Sequence, residues 1–346
     1  MAPHGPLCKN PDPRLTPDCE FQALIERNQL LYLMYGDKPE YLVEAKFSIL
    51  TALNRRVDPG SFSIAVMRDQ PDLFQGWPVE IYPLNDAKLA SWMGQGDYVH
   101  RRKACAIREG LKYADKTIFV DTDTVFLKDP ALLFERVSEG RYLMDQLEFK
   151  WAEAARRREY AGLCEQLKDE GAWPSSDLRL FNSGICGMTS GGIALMDEVI
   201  SRIDQWAHHH RQLHTMEQIA VSFVLDGKHV SEAKDCVEHY FSKKPFFHAM
   251  HQLFFTRHGL EFHDGLPALS AEVPATLPNV SVVTKLKIKW RLMRLSRELK
   301  RAGHYYLLGK QASACCYEGM CRRVWLSKAQ RDLSERDAQR LALLKT

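Results

Sequence analysis

The 346-residue sequence predicts an α/β protein built on a doubly wound mixed sheet, and three observations carry that prediction. Short apolar runs alternate with segments of helical periodicity in β-α-β order, the arrangement that gives parallel pairing and helices on both faces of a sheet. One of those runs, Ile118-Phe119-Val120, passes directly into an acidic pair, Asp121 and Asp123. The carboxyl edge of such a strand is where open α/β sheets bind ligands. Composition agrees, since 45% apolar and 26% charged residues are ordinary for a globular chain with a large core. The length suits one large α/β domain with additions, or two average domains.

The first strand is expected at Leu30–Tyr35, closed by a Gly36-Asp37 turn. Pro39 stands at a helix start, and Leu42, Ala45, Ile49 and Leu53 repeat behind it at helical spacing. Two further strands follow in FSIAVMRD (62–69) and PVEIYPLND (78–86). A helix from about Tyr98 to Tyr113 opens on a basic cluster of His100, Arg101, Arg102 and Lys103. Such a cluster is either a solvated face or, because this helix leads into the acidic strand, a source of cations for a phosphate or a nearby carboxylate.

Residues i and i+2 of an extended segment project to the same side, so Asp121 and Asp123 can face one point in the crevice. Two hard oxygen donors so placed can hold Mg²⁺ or Mn²⁺, with water and phosphate oxygens completing the shell. A surface turn with two solvated aspartates is the plainer alternative. Behind the pair, Pro130 suits the first turn of a new helix.

Downstream, RYLMDQLEF (141–149) reads as one strand and Trp151–Lys168 as a polar helix. DLRLFNSGICGM (177–188) reads as a strand broken at Asn182, Ser183 and Gly184. Glycine there lets a ligand approach the backbone, and Asn182 offers both a donor and an acceptor. The next helix carries Ile193, Met196, Ile200 and Ile203 on one stripe and ends in His208, His209 and His210, a solvated terminus. TMEQIAVSFVL (215–225) is a short buried helix with Glu217 and Gln218 near its start. Of the five histidines between His239 and His263, His248 and His251 sit among phenylalanines and read as core residues. His239, at a strand end before a cationic loop, is the candidate third metal ligand.

Net charge is +3, but its halves differ in sign. Residues 285–346 hold 16 Lys+Arg against 5 Asp+Glu, or +11, while the remainder stands at −8. The segment TKLKIKWRLMRLSRELKRAG (284–303) places Ile288, Leu292, Leu295 and Leu299 on one face, cations over the rest and Trp290 at the boundary. That is the composition of a helix lying on anionic lipid, or of a docked helix whose cations face water. No aromatic platform or nucleic-acid module appears, so nucleic acid is excluded as a partner. Nine cysteines without finger spacing, and an N-terminus without an apolar signal, predict reduced thiols and a cytoplasmic address, peripheral to a membrane if the basic helix docks there. The expected division is a proline-rich arm over 1–20, a catalytic domain over 21–265 and a basic, mainly helical region over 266–346.

With these pieces in place the chain resembles metal-dependent, nucleotide-sugar glycosyltransferases of the Rossmann-like GT-A fold, nearest the glycogenin-like and bacterial lipopolysaccharide types. FVDTDTVFLKDPALLF is similar to the DxD motif and the helix behind it, LFNSGICGM to the FNxG strand, MEQIAVSFVL to the acidic-Gln segment, and HYFSKKPF to the late His-containing loop. The resemblance implies that Asp121 and Asp123 bind Mn²⁺ or Mg²⁺, with Asp121 also near the ribose and His239 completing the protein ligands. It implies that Lys244 neutralises the diphosphate, that Asn182 and Gly184 line the donor sugar, and that Glu217 and Gln218 lie beside the anomeric carbon. Lys103, or Arg102, matches a cation on the preceding helix, and Tyr35 lies where the base is held. The implied reaction moves a hexose from a nucleoside-diphosphate sugar, UDP being the favoured nucleotide, to a hydroxyl of a glycan or lipid-linked saccharide, with retention favoured. Ser242 stands where the loop usually has glycine, the loop is one residue shorter, and Glu217 replaces the commoner Asp. Trp151–Trp173 and the C-terminal third are expected on the acceptor side.

Two other classes match part of the pattern. IFVDTDTV also fits a haloacid-dehalogenase-type phosphatase, with Asp121 as a nucleophile forming an aspartyl-phosphate. That motif normally opens its domain and is completed by a later acidic pair, whereas three strands precede it here. A non-catalytic membrane-surface adaptor built on a decayed site is the other alternative.

Overall fold

The computed structural model describes residues 26–210, 212–293 and 296–331, and the arm expected at 1–20 lies outside them. In chain order the elements begin β1 (Asn28–Met34), α1 (Pro39–Arg55), β2 (Ser63–Arg68), β3 (Glu80–Pro83), α2 (Asp86–Ser91) and α3 (Arg101–Gly110). The acidic strand is β4 (Lys116–Val120), followed by β5 (Thr124–Phe126), α4 (Ala131–Phe134), β6 (Arg141–Met144) and β7 (Leu147–Lys150). Then come α5 (Trp151–Ala154), α6 (Ala161–Asp169), β8 (Arg179–Phe181), β9 (Ile185–Thr189), α7 (Ile193–His210), α8 (Met216–Val224), β10 (His229–Glu232) and β11 (Val237–His239). Five helices close the described chain: α9 (Lys244–His258), α10 (Leu266–Leu269), α11 (Val282–Arg291), α12 (Arg297–Gln311) and α13 (Cys316–Arg331).

A seven-stranded sheet in the order β10-β6-β9-β4-β1-β2-β3 organises the molecule. β3, β2, β1 and β4 run parallel, β9 is antiparallel to both β4 and β6, and β10 returns parallel to β6. Alternation along each strand feeds two cores. Leu30, Tyr32, Ile118, Val120, Ile64 and Val66 face the layer of α1 and α9. Leu31, Phe119, Ala65 and Met67 face α3, α7 and α8. Burial on both faces is why these strands read as continuous apolar runs rather than as alternating ones. Two small antiparallel sheets, β5 with β11 and β7 with β8, stand at the carboxyl edge of β4 and carry the functional loops.

Several expected elements are divided. RYLMDQLEF is two strands in two sheets, because the chain leaves β6 at Asp145 and enters β7 at Leu147. The helix expected over 151–168 is α5 and α6 separated by an irregular stretch, which places Trp151 and Leu163 in the core. Lys244 opens α9 instead of lying in a loop, with Pro245 in its first turn. The basic tail helix divides into α11 and α12, the second capped by Ser296 Oγ, which accepts from Leu299 N at 3.4 Å. Ile288 and Leu292 join the core of α1 and α9, and α13 docks there through Trp325, whose ring lies 5.4 Å from that of Phe246. The cysteines among the described residues are all free, Cys315 and Cys316 exposed and Cys321 buried. Among the described residues no helix is long and apolar enough to cross a membrane.

Candidate functional site

A cleft of about 810 Å³ opens beyond the carboxyl ends of β1 and β4. Its wall includes Tyr35 after β1, Lys103 on α3, Asp121 and Asp123 after β4, Asn182 after β8, Glu217 and Gln218 on α8, His239 on β11 and Lys244 on α9. Four backbone bonds fix this convergence: Asp121 N to Gly184 O at 2.7 Å, Tyr240 N to Asp123 O at 3.0 Å, Asn182 N to Gln146 O at 2.9 Å and Asp145 N to Asn182 O at 3.3 Å. Each loop is thereby tied to its neighbour, and the side chains leave from rigid strand ends.

Asp121, Asp123 and His239 bring one donor atom each within 4.8 Å of one another. His239 Nε2 stands 3.4 Å from Asp123 Oδ2 and 4.0 Å from Asp121 Oδ2, spacings that ligands about 2.1 Å from a shared ion can take. The other ring nitrogen, Nδ1, lies 2.6 Å from Oδ2 of the buried Asp145. A carboxylate can only accept, so Asp145 holds a proton on Nδ1 and leaves Nε2 facing the aspartates, where it can ligate an ion once it gives up its own proton. Two carboxylates and one imidazole backed by a carboxylate suit a divalent cation such as Mn²⁺ or Mg²⁺. Gly184 makes the arrangement possible, because a Cβ at that position would collide with the His239 ring.

Cations flank the carboxylates on both sides. Lys103 Nζ donates to Asp121 Oδ2 at 2.9 Å and to Ser183 Oγ at 3.2 Å, and Lys244 Nζ is 3.0 Å from Asp123 Oδ2. Burial alone would raise the Asp123 carboxyl, but hydrogen bonding and charge from His239 and Lys244 hold it well below the usual carboxylate range. Burial works against the His239 imidazolium as well; Asp123, Asp145 and Asp121 overcome it and push the ring up to about 10. Lys103 and Lys244 are raised in the same way, desolvation being outweighed by Asp121 and Glu217 for the first and by Asp123 and Glu44 for the second.

The far wall is polar. Glu148 accepts from Asn182 Nδ2 at 2.9 Å and from Gln218 Nε2 at 3.0 Å, so one carboxylate orients both amides. Asn182 Oδ1 in turn accepts from Gly184 N at 2.8 Å. Glu217 lies deeper and receives Ser183 Oγ at 2.7 Å, and its buried Oε1 has no hydrogen-bond partner among the described residues. Burial raises its carboxyl, an effect that Lys103 and Ser183 offset only in part. Behind the Asp121-Asp123-His239 cluster, the fully buried Glu44 accepts from Thr122 Oγ1 at 3.0 Å, pairs with His248 Nε2 and lies 3.8 Å from Lys244 Nζ.

The predicted site residues therefore divide. All but Arg102 and Gly184 line the cleft. Arg102 points away, donating to Leu89 O at 3.0 Å and placing its guanidinium 4.7 Å from the Tyr35 ring centre. Gly184 serves as the space that admits His239. His251 is a core histidine as expected, stacked on Phe47 at 3.8 Å, but His248 is partly exposed and paired with Glu44. Sequence reasoning missed Asp145, Glu148 and Glu44. Asp145 carries the same signal as Asp121, an acid directly after an apolar strand, which the single-strand reading of RYLMDQLEF concealed.

No family model matches the chain. No curated protein matches it either. Among solved structures, the apo form of the bifunctional glycosyltransferase WbbM is similar over 60% of this chain, with 11% identity and a TM-score of 0.38. The chain covers 39% of that protein's chain. A likeness this distant assigns no activity.

Proposed function

We propose that the protein is a metal-dependent glycosyltransferase that moves a hexose from a nucleoside-diphosphate sugar, UDP-linked in our reading, to a hydroxyl of a glycan or lipid-linked saccharide. The observation that carries this reading is the order of charge in the cleft: the Asp121-Asp123-His239 cluster between Lys103 and Lys244, followed by the Asn182-Glu148-Gln218 wall. A diphosphate needs the first part and sugar hydroxyls need the second.

Asp121, Asp123 and His239 would hold the ion, which when bound supplies positive charge to the departing diphosphate. Lys244 and Lys103 add fixed cations where that charge grows, and fixed charge in a shielded site costs no reorganisation during reaction. Glu148 holds the two amides so that their free atoms meet sugar oxygens in one orientation. Tyr35 and Tyr41 line the cleft wall, where an aromatic side chain could pack on the base. In the transfer the C1–O bond to the diphosphate breaks, a C1–O bond to the acceptor forms, and the acceptor proton leaves with the nucleotide or to water. Retention of configuration is the outcome the motif resemblance implies.

The phosphatase alternative lacks a supporting observation. Asp121 is paired with Lys103, the cluster is completed by His239, and β1, β2 and β3 precede β4 in the same sheet. The test is release of nucleoside diphosphate from a panel of nucleotide sugars with and without Mn²⁺. The proposal expects turnover with one nucleotide, dependent on the metal and abolished in Asp123→Ala. Hydrolysis of simple phosphate esters with no action on any nucleotide sugar would overturn it.

A further inference from the structure

The face of α11 that leaves the core is apolar. Val282, Val283, Leu286 and Trp290, with Met293 just beyond the helix, are each between 60% and 74% exposed. At about 100° per residue these five side chains fall within an arc of about 100°. Ile288 and Leu292 lie on the opposite side and are buried in the core cluster that α1 and α9 also feed, so the helix is anchored through that row, and among the described residues nothing covers the outward arc.

Charge surrounds this arc on both sides. Lys285 and Lys289 flank one edge and Lys287 the other, and all three are exposed. From Val273 to Arg297 the chain has six Lys+Arg and no Asp or Glu. Burial first and the charge of Lys285 second hold His304 of α12 below the usual histidine range, so α11 and α12 are close at this point.

We propose that α11 is a membrane-docking helix, lying flat on an anionic bilayer with Val282, Val283, Leu286, Trp290 and Met293 in the headgroup–acyl boundary and the lysines at the phosphate level. The tail composition already suggested lipid; the structure assigns the contact to the face opposite the Ile288-Leu292 row. An amphipathic helix with a narrow apolar arc, a boundary Trp and lysines at both edges has the anatomy of an interfacial helix, and lysines near such a surface are drawn by its negative potential. A second copy of the chain is a poor occupant, because a two-fold contact through this arc would set Lys285, Lys287 and Lys289 of both copies against one another. Nucleic acid gains nothing from the exposed aliphatic groups, which offer no stacking platform. The docking surface is independent of the transferase reading.

The full chain is sedimented with phosphatidylglycerol-containing vesicles and with pure phosphatidylcholine vesicles, at low and at high salt. The proposal expects binding to the anionic vesicles, weakened by salt, and lowered at least about tenfold by Leu286→Glu with Trp290→Glu. Lys285→Glu with Lys289→Glu should remove the preference for anionic lipid. Since these side chains are exposed, both variants should keep the wild-type melting temperature and its response to nucleotide and Mn²⁺, which separates failure of docking from failure of the catalytic reading. Absence of binding to either vesicle, or binding untouched by the Leu286/Trp290 pair, would overturn the proposal. A dimer in sedimentation velocity that the same pair dissolves would overturn it in favour of a second copy.

Discussion

Asp145 Oδ2 lies 2.6 Å from Nδ1 of His239, on the side of the ring away from Asp121 and Asp123. A buried carboxylate behind an imidazole fixes the tautomer and raises the basicity of the other nitrogen. Asp145→Asn should therefore lower Mn²⁺ affinity ~10- to 100-fold. Calorimetric titration of metal into wild type and variant checks this, and an unchanged affinity would detach Asp145 from the site.

The same ring gives metal binding a pH dependence with a definite sign. The acids around His239 push it up to about 10, so near neutrality the metal-free ring is protonated. A ligand must be deprotonated, so binding expels a proton and apparent affinity rises with pH, up to ~10-fold per unit between about 6 and 8. Without metal the stability effect runs the other way. A raised folded-state pKa adds stability that is complete below the ordinary histidine value and is lost as pH climbs toward about 10. His239→Gln should flatten both curves, read by metal titration and by thermal melts across pH.

Gly184 is occupied space rather than a flexible hinge. Its Cβ would meet the His239 ring, so Gly184→Ala must displace the imidazole or the strand end that bears Asp121. Overpacking of this kind costs about 1–3 kcal/mol. The expected result is a lower melting temperature together with loss of Mn²⁺ binding; a stable variant with intact metal affinity would refute it.

Glu44 supports the cluster from behind. It holds Thr122, the residue between the two aspartates, and shares Lys244 with Asp123. Glu44→Gln keeps the volume and removes the charge. We expect turnover to fall ~10-fold, which corresponds to about 1.4 kcal/mol of transition-state stabilisation. Nucleotide affinity should be nearly unchanged, so kcat and KM measured separately decide the point.

How far these features could be read in advance depended on the local physics. β4 and Asp121 were legible because an apolar run changes to acid at a sheet edge, a signal confined to a few residues. Asn182 and Gly184 were legible as a polar break in a strand, and the structure separates β8 from β9 there. Glu44 was invisible because periodicity marks one buried stripe on α1, whereas the helix is enclosed from Glu44 to Ala52 by β5, α9 and α10. Arg102 and Lys103 looked equivalent, yet one residue of helical rotation sends the first to Leu89 O and the second to Asp121. In the tail, periodicity put Ile288 and Leu292 on one face and left both a lipid surface and docking on the protein open for it; the core claims that row. The break before α12 had a signal in Ser296, an N-cap residue that the continuous basic pattern obscured.

The decisive experiment is thermal unfolding against a panel of nucleoside diphosphates, each with and without Mn²⁺, in wild type and Asp123→Ala. A ligand that binds only the native state raises the melting temperature by mass action. If the cleft is a metal-diphosphate site, one nucleotide with Mn²⁺ raises the melting temperature, either component alone does much less, and the joint effect vanishes in the variant. Equal shifts with and without metal, or a shift that survives Asp123→Ala, would contradict a metal-diphosphate site at Asp121, Asp123 and His239.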